Sequence, residues 1–463
     1  MRKLLLLSVL VLVFSCTKKN RQPPTLNQEY EFDALLNPYG VPDSLLVRDS
    51  YLVFLNAEKF TPVLRGSSFD LLKDSLAIVE LEVSAEKKIQ EYLNSKKIKI
   101  DNDMLLVSSL SGFVLENSNR IFIRELLSDK ENIAFIQQNF RFGMENTRAR
   151  MQSEVLAQNT RARMQERPDW GYDFVNFTSK AVTYLAGVNR QVSKNNKIWV
   201  IDSGIDANHQ DLKNLVNRQM SRSFVLRNTN IFDSNPFFDY WGHGTHCAGL
   251  AAAKAINQGN RNLIGMNGVA PGAKLVSLKV FGQEGYAEFA WVVEALEYAS
   301  RRGRLTAGDV ISMSLGGRIT DCGQDGLMLQ MQAISSALNV SIVSAAGNGY
   351  FWAGEQSSRF LPACVEGTNI YTIGSIDLDY ESTNQAVVFS GFSNYELPPI
   401  DWVVPGNRIF STYPNDNYAV MEGTSMSAAL MAGLLYLTGG DIQEKTKVPG
   451  LYSENYSYPV PTK

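Results

Sequence analysis

Lys197-Ile198-Trp199-Val200-Ile201-Asp202-Ser203-Gly204 is the stretch from which the fold can be read. Four consecutive apolar residues between polar flanks describe a short strand buried on both faces, the signature of a parallel sheet covered by helices. Similar runs return at Leu275–Val280, Val310–Met313, Val340–Val343, Ile370–Ile373 and Trp402–Val404. Helical stretches, Ala287–Arg301 and Asp325–Ala337, lie between several of them. Alternating strands and helices predict an α/β fold, three αβα layers with a mainly parallel sheet. Functional groups in such sheets gather at the carboxyl ends of strands. Asp202 ends the first run, so it is the first candidate.

Two more segments carry reactive side chains. Gly242-His243-Gly244-Thr245-His246 offers an imidazole among small residues, and Gly423-Thr424-Ser425-Met426-Ser427 offers a hydroxyl. A serine hydroxyl is a poor nucleophile unless a base lies in hydrogen-bond reach and a third group orients that base. Asp202, His243 and Ser425 have the identities for those roles. Ser425 is followed by Ser427, Ala428 and Ala429, which suits a tightly packed helix N-terminus where backbone N–H groups favour developing negative charge. Asp-Ser-Gly alone reads as an ordinary turn. The three segments in the order Asp, His, Ser read as the triad of a serine peptidase, in one of its known chain orders.

From about Trp170 to Gly440 the chain resembles the subtilase family of serine endopeptidases, with some phrases similar to proteinase K. The resemblance rests on Lys197–Leu212, Trp241–Leu250, Ser312–Gly317, Ser344-Ala345-Ala346-Gly347-Asn348 and Met421–Gly433, in family order. It implies a subtilisin-like fold and an acyl-enzyme mechanism, with Asn348 donating to the oxyanion beside the Ser425 N–H. It implies that a peptide or protein substrate adds a strand to the edge at Ser314, Leu315 and Gly316. A first specificity pocket is expected between Leu315-Gly316 and Ala345-Ala346-Gly347, with Leu361-Pro362-Ala363 nearby, taking an apolar residue. No cofactor is needed for the chemistry. Structural calcium is common in the family, with Asp211 as a matching ligand and Asn262 as a second oxygen. His209, His246 and Cys247 are expected to pack. Two departures stand out: Ala429 where relatives usually have proline, and Glu422 where a small residue is common. A peptide-binding protein of the same fold that does not cut is the alternative reading.

The rest of the chain frames this unit. Arg2-Lys3, the apolar run Leu4–Phe14 and Ser15-Cys16 resemble a bacterial lipoprotein signal, which implies export to the cell envelope with Cys16 lipidated and the membrane as a partner. Plain secretion with Cys16 left as a thiol is also open. The expected division is a signal at 1–15, a lipidated N-terminus and tether at 16–50, a small α+β domain at 51–140, a linker at 141–168, the peptidase domain at 169–440 and a polar tail at 441–463. The 51–140 unit resembles an inhibitory propeptide, with strands at Tyr51–Leu55, Leu105–Val107, Gly112–Leu115 and Ile133–Ile136. Its helices are expected at Leu71–Leu93, with Leu72, Leu76, Val79 and Val83 as the apolar face, and at Ile121–Leu127. The linker repeats Asn146–Gln152 as Asn159–Gln165 and reads as an exposed, cleavable segment of a zymogen. The tail has no functional reading. A net charge of −3 gives no sign of a nucleic-acid partner. An exported compartment permits a Cys322–Cys364 disulfide, but sequence alone leaves that pairing open.

Overall fold

The structure, a computed structural model, describes residues 26–66, 75–101, 104–143, 178–187, 195–225, 233–255, 265–320, 322–323, 326–349, 354–378, 387–451 and 456–462. Cys16, Asn262 and the duplicated heptapeptide lie outside the described residues.

An N-terminal unit runs α1 (Leu26–Leu36), β1 (Leu46–Leu55), α2 (Val63–Gly66), α3 (Ser75–Ser95), β2 (Leu105–Leu106), β3 (Gly112–Leu115), α4 (Arg120–Ser128) and β4 (Ile133–Gly143). The larger unit follows as β5 (Lys197–Asp202), β6 (Arg222–Ser223), α5 (His243–Ala252), β7 (Lys274–Lys279), β8 (Tyr286–Glu288), α6 (Phe289–Ser300), β9 (Val310–Met313), β10 (Gly317–Arg318), α7 (Gly326–Leu338) and β11 (Ser341–Ala345). It continues with β12 (Phe360–Leu361), β13 (Ile370–Leu378), β14 (Val387–Phe389), β15 (Ile400–Pro405), β16 (Ile409–Tyr413), β17 (Asn417–Met421), α8 (Thr424–Thr438), β18 (Gln443–Pro449) and β19 (Ser457–Thr462).

The central sheet has the order β14-β13-β11-β9-β5-β7-β6, with β15 also on β13. Every pairing in it is parallel except β13 with β14. The alternation along β5 shows why three layers form. Trp199 and Ile201 pack with α6 and α7 on one face, whereas Ile198 and Val200 pack with α5 and α8 on the other. A strand buried on both faces has no polar side to present, hence the uninterrupted apolar run.

The N-terminal sheet, β2-β3-β1-β4, gains β8 of the larger unit as its fifth strand. Its two faces also divide the apolar residues. Tyr51, Val53, Leu55, Phe113 and Leu115 pack with α3 and α4. Leu52, Phe54, Val114, Phe140 and Phe142 join the core formed by α6 and α7.

Four expectations need correction. The helix at Leu71–Leu93 is described from Ser75, but it buries a different face. Leu76 and Val83 are 66% and 55% exposed, while Ile78, Glu82, Ile89, Tyr92 and Leu93 are buried. Glu82 belongs on that face because its Oε1 accepts the Ser108 hydroxyl at 2.6 Å. Residues 26–50 are not all tether: α1 and the start of β1 are ordered structure, and Tyr39 and Val41 are buried. Arg141–Gly143 belong to β4 rather than to the linker. The polar tail is a hairpin, β18 against β19, that buries Val448, Tyr458 and Val460 against Phe389, Ile400 and Val403. The open pairing closes as a Cys322–Cys364 disulfide. Among the described residues, no helix is long and apolar enough to cross a membrane.

Candidate active site

Asp202 is the last residue of β5, at the carboxyl edge of the sheet. His243 opens α5, and its Nδ1–H faces Asp202 Oδ1 and Oδ2 at 2.8 and 3.0 Å. Gly244 permits this approach: a Cβ there would lie 2.2 Å from the Gly204 carbonyl oxygen and 3.1 Å from Asp202 Cβ. Ser425 sits in the first turn of α8, which packs beside α5 against the same face of the sheet. Its hydroxyl donates to the Ser314 carbonyl at 3.2 Å, and the Ser314 hydroxyl donates to the Ser425 carbonyl at 2.9 Å. Cys247 bridges the two helices, its thiol 3.9 Å from His243 Nδ1 and donating to the Ser425 carbonyl over 3.9 Å. All three candidate catalytic residues are almost fully buried, and His243 Nε2 has no hydrogen-bond partner among the described residues.

Burial pushes the His243 imidazole down, but the adjacent Asp202 carboxylate and Cys247 sulfur together outweigh it and hold the group well above its ordinary value. His246, one turn on, behaves oppositely. Burial, with His243 nearby, pushes it down to about 3. Its Nε2–H is shared between the Ile409 and Ala419 carbonyls at 3.1 Å each, so it stays neutral and ties α5 to the β16–β17 hairpin. His209 likewise packs, with its Nε2–H on the Asn417 carbonyl at 2.9 Å.

Asn348 stands beyond β11. Its Oδ1 accepts both the N–H and the hydroxyl of Thr424, at 2.9 and 3.1 Å. An amide whose oxygen is held this way presents its NH₂ as a donor on the other side. Asn348 lines a cavity of about 560 Å³ together with Phe142, Arg318 and Phe360. The expected pocket residues Leu315, Gly316, Ala345, Ala346 and Gly347 do not line it. The Phe360 ring occupies the space between Gly316 and Gly347, so the cavity lies outside that ring.

Two supporting residues were not readable beforehand. The buried Asp239 carboxylate accepts the Ser203 hydroxyl at 2.8 Å, the Gly242 N–H at 2.8 Å and both the N–H and hydroxyl of Thr245 at 2.9 and 2.7 Å. Burial pushes it up, and those donors pull it back. It therefore fixes the turn after Asp202 to the start of the His243 helix. Lys279, fully buried, donates to the Ser203 and Phe238 carbonyls at 2.9 and 2.7 Å, closing the same turn from below. Only the charge type at 239 and 279, inside otherwise small or apolar phrases, could have signalled them.

For calcium the described donors fit poorly. Asp211 Oδ2 already accepts the Met266 N–H at 2.9 Å and the Tyr418 hydroxyl at 2.6 Å. Among the described residues the one group of clustered His, Cys and acidic side chains is Asp202, His243 and Cys247, which contains a single carboxylate. A hard cation asks for six to eight oxygens.

The family model described as the Subtilase family matches residues 193–445. This chain belongs to the subtilase family. It is 31% identical over 274 residues to an intracellular serine protease of Paenibacillus polymyxa, covering 57% of this chain and 74% of that one. It is 34% identical over 252 residues to the major intracellular serine protease of Bacillus subtilis, covering 53% and 68%. Against subtilisin E of the same organism it is 33% identical over 273 residues, covering 57% and 62%. As in any subtilase, the mainly parallel sheet lies between helical layers. The family is one of serine endopeptidases whose substrates are peptides or proteins.

Proposed function

We infer that this subtilase is an exported serine endopeptidase made as a zymogen, and that Asp202, His243 and Ser425 perform the hydrolysis. The observation that carries the reading is the bidentate approach of His243 Nδ1–H to Asp202, with Ser425 one helix away. Asp202 fixes the tautomer that leaves Nε2 with its lone pair outward. In the reaction the Ser425 hydroxyl exchanges the Ser314 carbonyl for His243 Nε2 as its acceptor. Ser425 then attacks the peptide carbonyl, and His243 takes its proton and returns it to the leaving amine. The Asn348 NH₂ and the first turn of α8 face the oxyanion. Water repeats the sequence to release the acyl group. Substrate lies along the edge at Ser314, Leu315 and Gly316.

The N-terminal unit acts as inhibitor in this reading. In support, β4 pairs antiparallel with β8 through Arg141–Glu288, Phe142–Ala287 and Gly143–Tyr286. Phe142 and Asn348 line the same cavity, so the end of β4 points the chain towards the site. Asn139 clamps the junction, its amide donating to Glu288 at 2.8 Å and its oxygen accepting the Ala290 N–H at 3.0 Å. The basic-apolar start of the chain and Cys16 support a lipid anchor in the cell envelope, and the disulfide suits an oxidising compartment.

Labelling with a fluorophosphonate probe tests the chemistry. Wild-type chain labels at Ser425 and cleaves casein, and Ser425→Ala does neither. A wild-type chain that binds peptides but never labels is a peptide-binding protein instead.

A further inference from the structure

We propose that Phe360 sets the substrate specificity of this peptidase by filling its first specificity pocket, so that the residue on the acyl side of the cut has a small side chain: glycine, alanine or serine. The inference deepens the reading above and rests on it.

The gap in question lies between two glycines. A Cβ at Gly316 would fall 2.6 Å from Phe360 Cε1, and a Cβ at Gly347 would fall 2.8 Å from Phe360 Cδ1. Real carbon atoms do not approach so closely, so the ring is already in contact with both backbones. The Cγ–Cδ1–Cε1 edge of the ring touches both the strand expected to hold substrate, at Gly316, and the turn that leads to Asn348, at Gly347. The space that those two small-residue phrases would leave for a large apolar side chain is therefore occupied by the protein itself.

The ring is held there. Phe360 is 5% exposed and pairs with Arg318 in the β10–β12 ladder, next to the Gly317–Leu361 pair. The Cys322–Cys364 disulfide joins the segments that follow these two short strands. Asn394 closes the remaining side, its Nδ2–H on the Ala346 carbonyl at 3.0 Å and its side-chain nitrogen 2.5 Å from a Cβ placed at Gly347. Swinging the ring outward into the cavity would break its contact with both glycine backbones at once. A substrate with a bulky residue must force that movement, whereas alanine lies over the ring without it. One methylene of misfit in such a pocket discriminates by about 10- to 200-fold, and a benzyl group exceeds one methylene.

The test uses purified full chain, incubated until fluorophosphonate labelling is constant, and tetrapeptide nitroanilides that differ only in the acyl-side residue. Wild type is expected to favour alanine over phenylalanine by at least about 10-fold in kcat/KM. Phe360→Gly is expected to reverse that order, and Phe360→Leu, which keeps an apolar filler should the glycine variant fold poorly, to move it partway. Equal use of alanine and phenylalanine by wild type, or a ratio unmoved in both variants, overturns the proposal. Absent labelling of wild type instead sinks the catalytic reading. In that case binding of the matching tetrapeptide acids decides the pocket: tighter alanine binding that Phe360→Leu relaxes upholds it, and indifference overturns it.

Discussion

The carboxylate of Glu297, near the end of α6, accepts the backbone N–H of Ser108 across the junction at 2.8 Å. The same carboxylate also accepts the Val107 N–H at 2.8 Å and the Ser109 N–H and hydroxyl at 3.1 and 2.8 Å. Arg301 steadies it at 3.1 Å and also donates to the Leu105 carbonyl at 2.5 Å. One buried charge thus satisfies a whole turn of the N-terminal unit. Glu297→Ala leaves those N–H groups without acceptors, and truncating one side of such a charged, buried contact costs about 2–5 kcal/mol. In the Ser425→Ala background, which keeps the chain uncut, the double variant is expected to melt at lower temperature than Ser425→Ala alone. Equal melting temperatures would show that the contact is dispensable.

Substitutions at the site separate roles by size. Asp202→Asn removes the acceptor that sets the His243 tautomer and is expected to lower kcat by about 10⁴. Asn348→Ala is expected to lower it by about 10²–10³, a magnitude taken from subtilisin, a member of the same family. Single-turnover rates read both, and a loss at Asn348 confined to KM would remove it from oxyanion binding.

The histidines predict opposite responses to pH. For His246 the folded value is depressed to about 3, so below the ordinary value near 6.5 the unfolded chain takes up a proton that the folded chain refuses. Stability therefore falls as pH falls from 6.5 towards 3, at about 1.4 kcal/mol per unit, or about 2 kcal/mol by pH 5. Urea melts of His246→Gln and wild type are expected to converge as the solution is acidified. For His243 the folded value is raised, so its contribution is present below 6.5 and is lost as pH rises through the folded value. Its base form appears over that same window, so kcat/KM is expected to rise with a midpoint above 6.5.

Tyr458 makes the tail part of the fold. Its ring stacks on Phe389 with centroids 4.8 Å apart, and its hydroxyl accepts the Glu396 N–H at 3.0 Å. Replacing a buried aromatic ring by alanine costs about 3–5 kcal/mol, so Tyr458→Ala is expected to lower the urea midpoint. An unchanged midpoint would return the tail to the status of an appendage.

What could be read from the sequence was whatever depends on neighbours along the chain. Two-faced burial makes β5 apolar throughout, and the close pass of Gly244 over Gly204 demands a glycine beside His243. What could not be read depends on partners far apart. Glu82 occupies a buried helical position because Ser108 meets it, so counting apolar residues picked Leu76 and Val83 instead. Val448, Tyr458 and Val460 are too sparse to announce a hairpin until β15 supplies the surface beneath them. Phe360 drew no reading at all, because its effect comes from glycines on two other segments.

The disulfide has one more effect. Between Cys322 and Cys364 the chain passes through α7, β11, Asn348 and Phe360 before returning to its starting point. Under the proposed activity the molecule works among copies of itself, where self-digestion begins with single nicks in surface turns. A nick anywhere inside this ring leaves both fragments covalently joined. The donor amide and the aromatic plug would stay attached to the molecule after its backbone had been broken once.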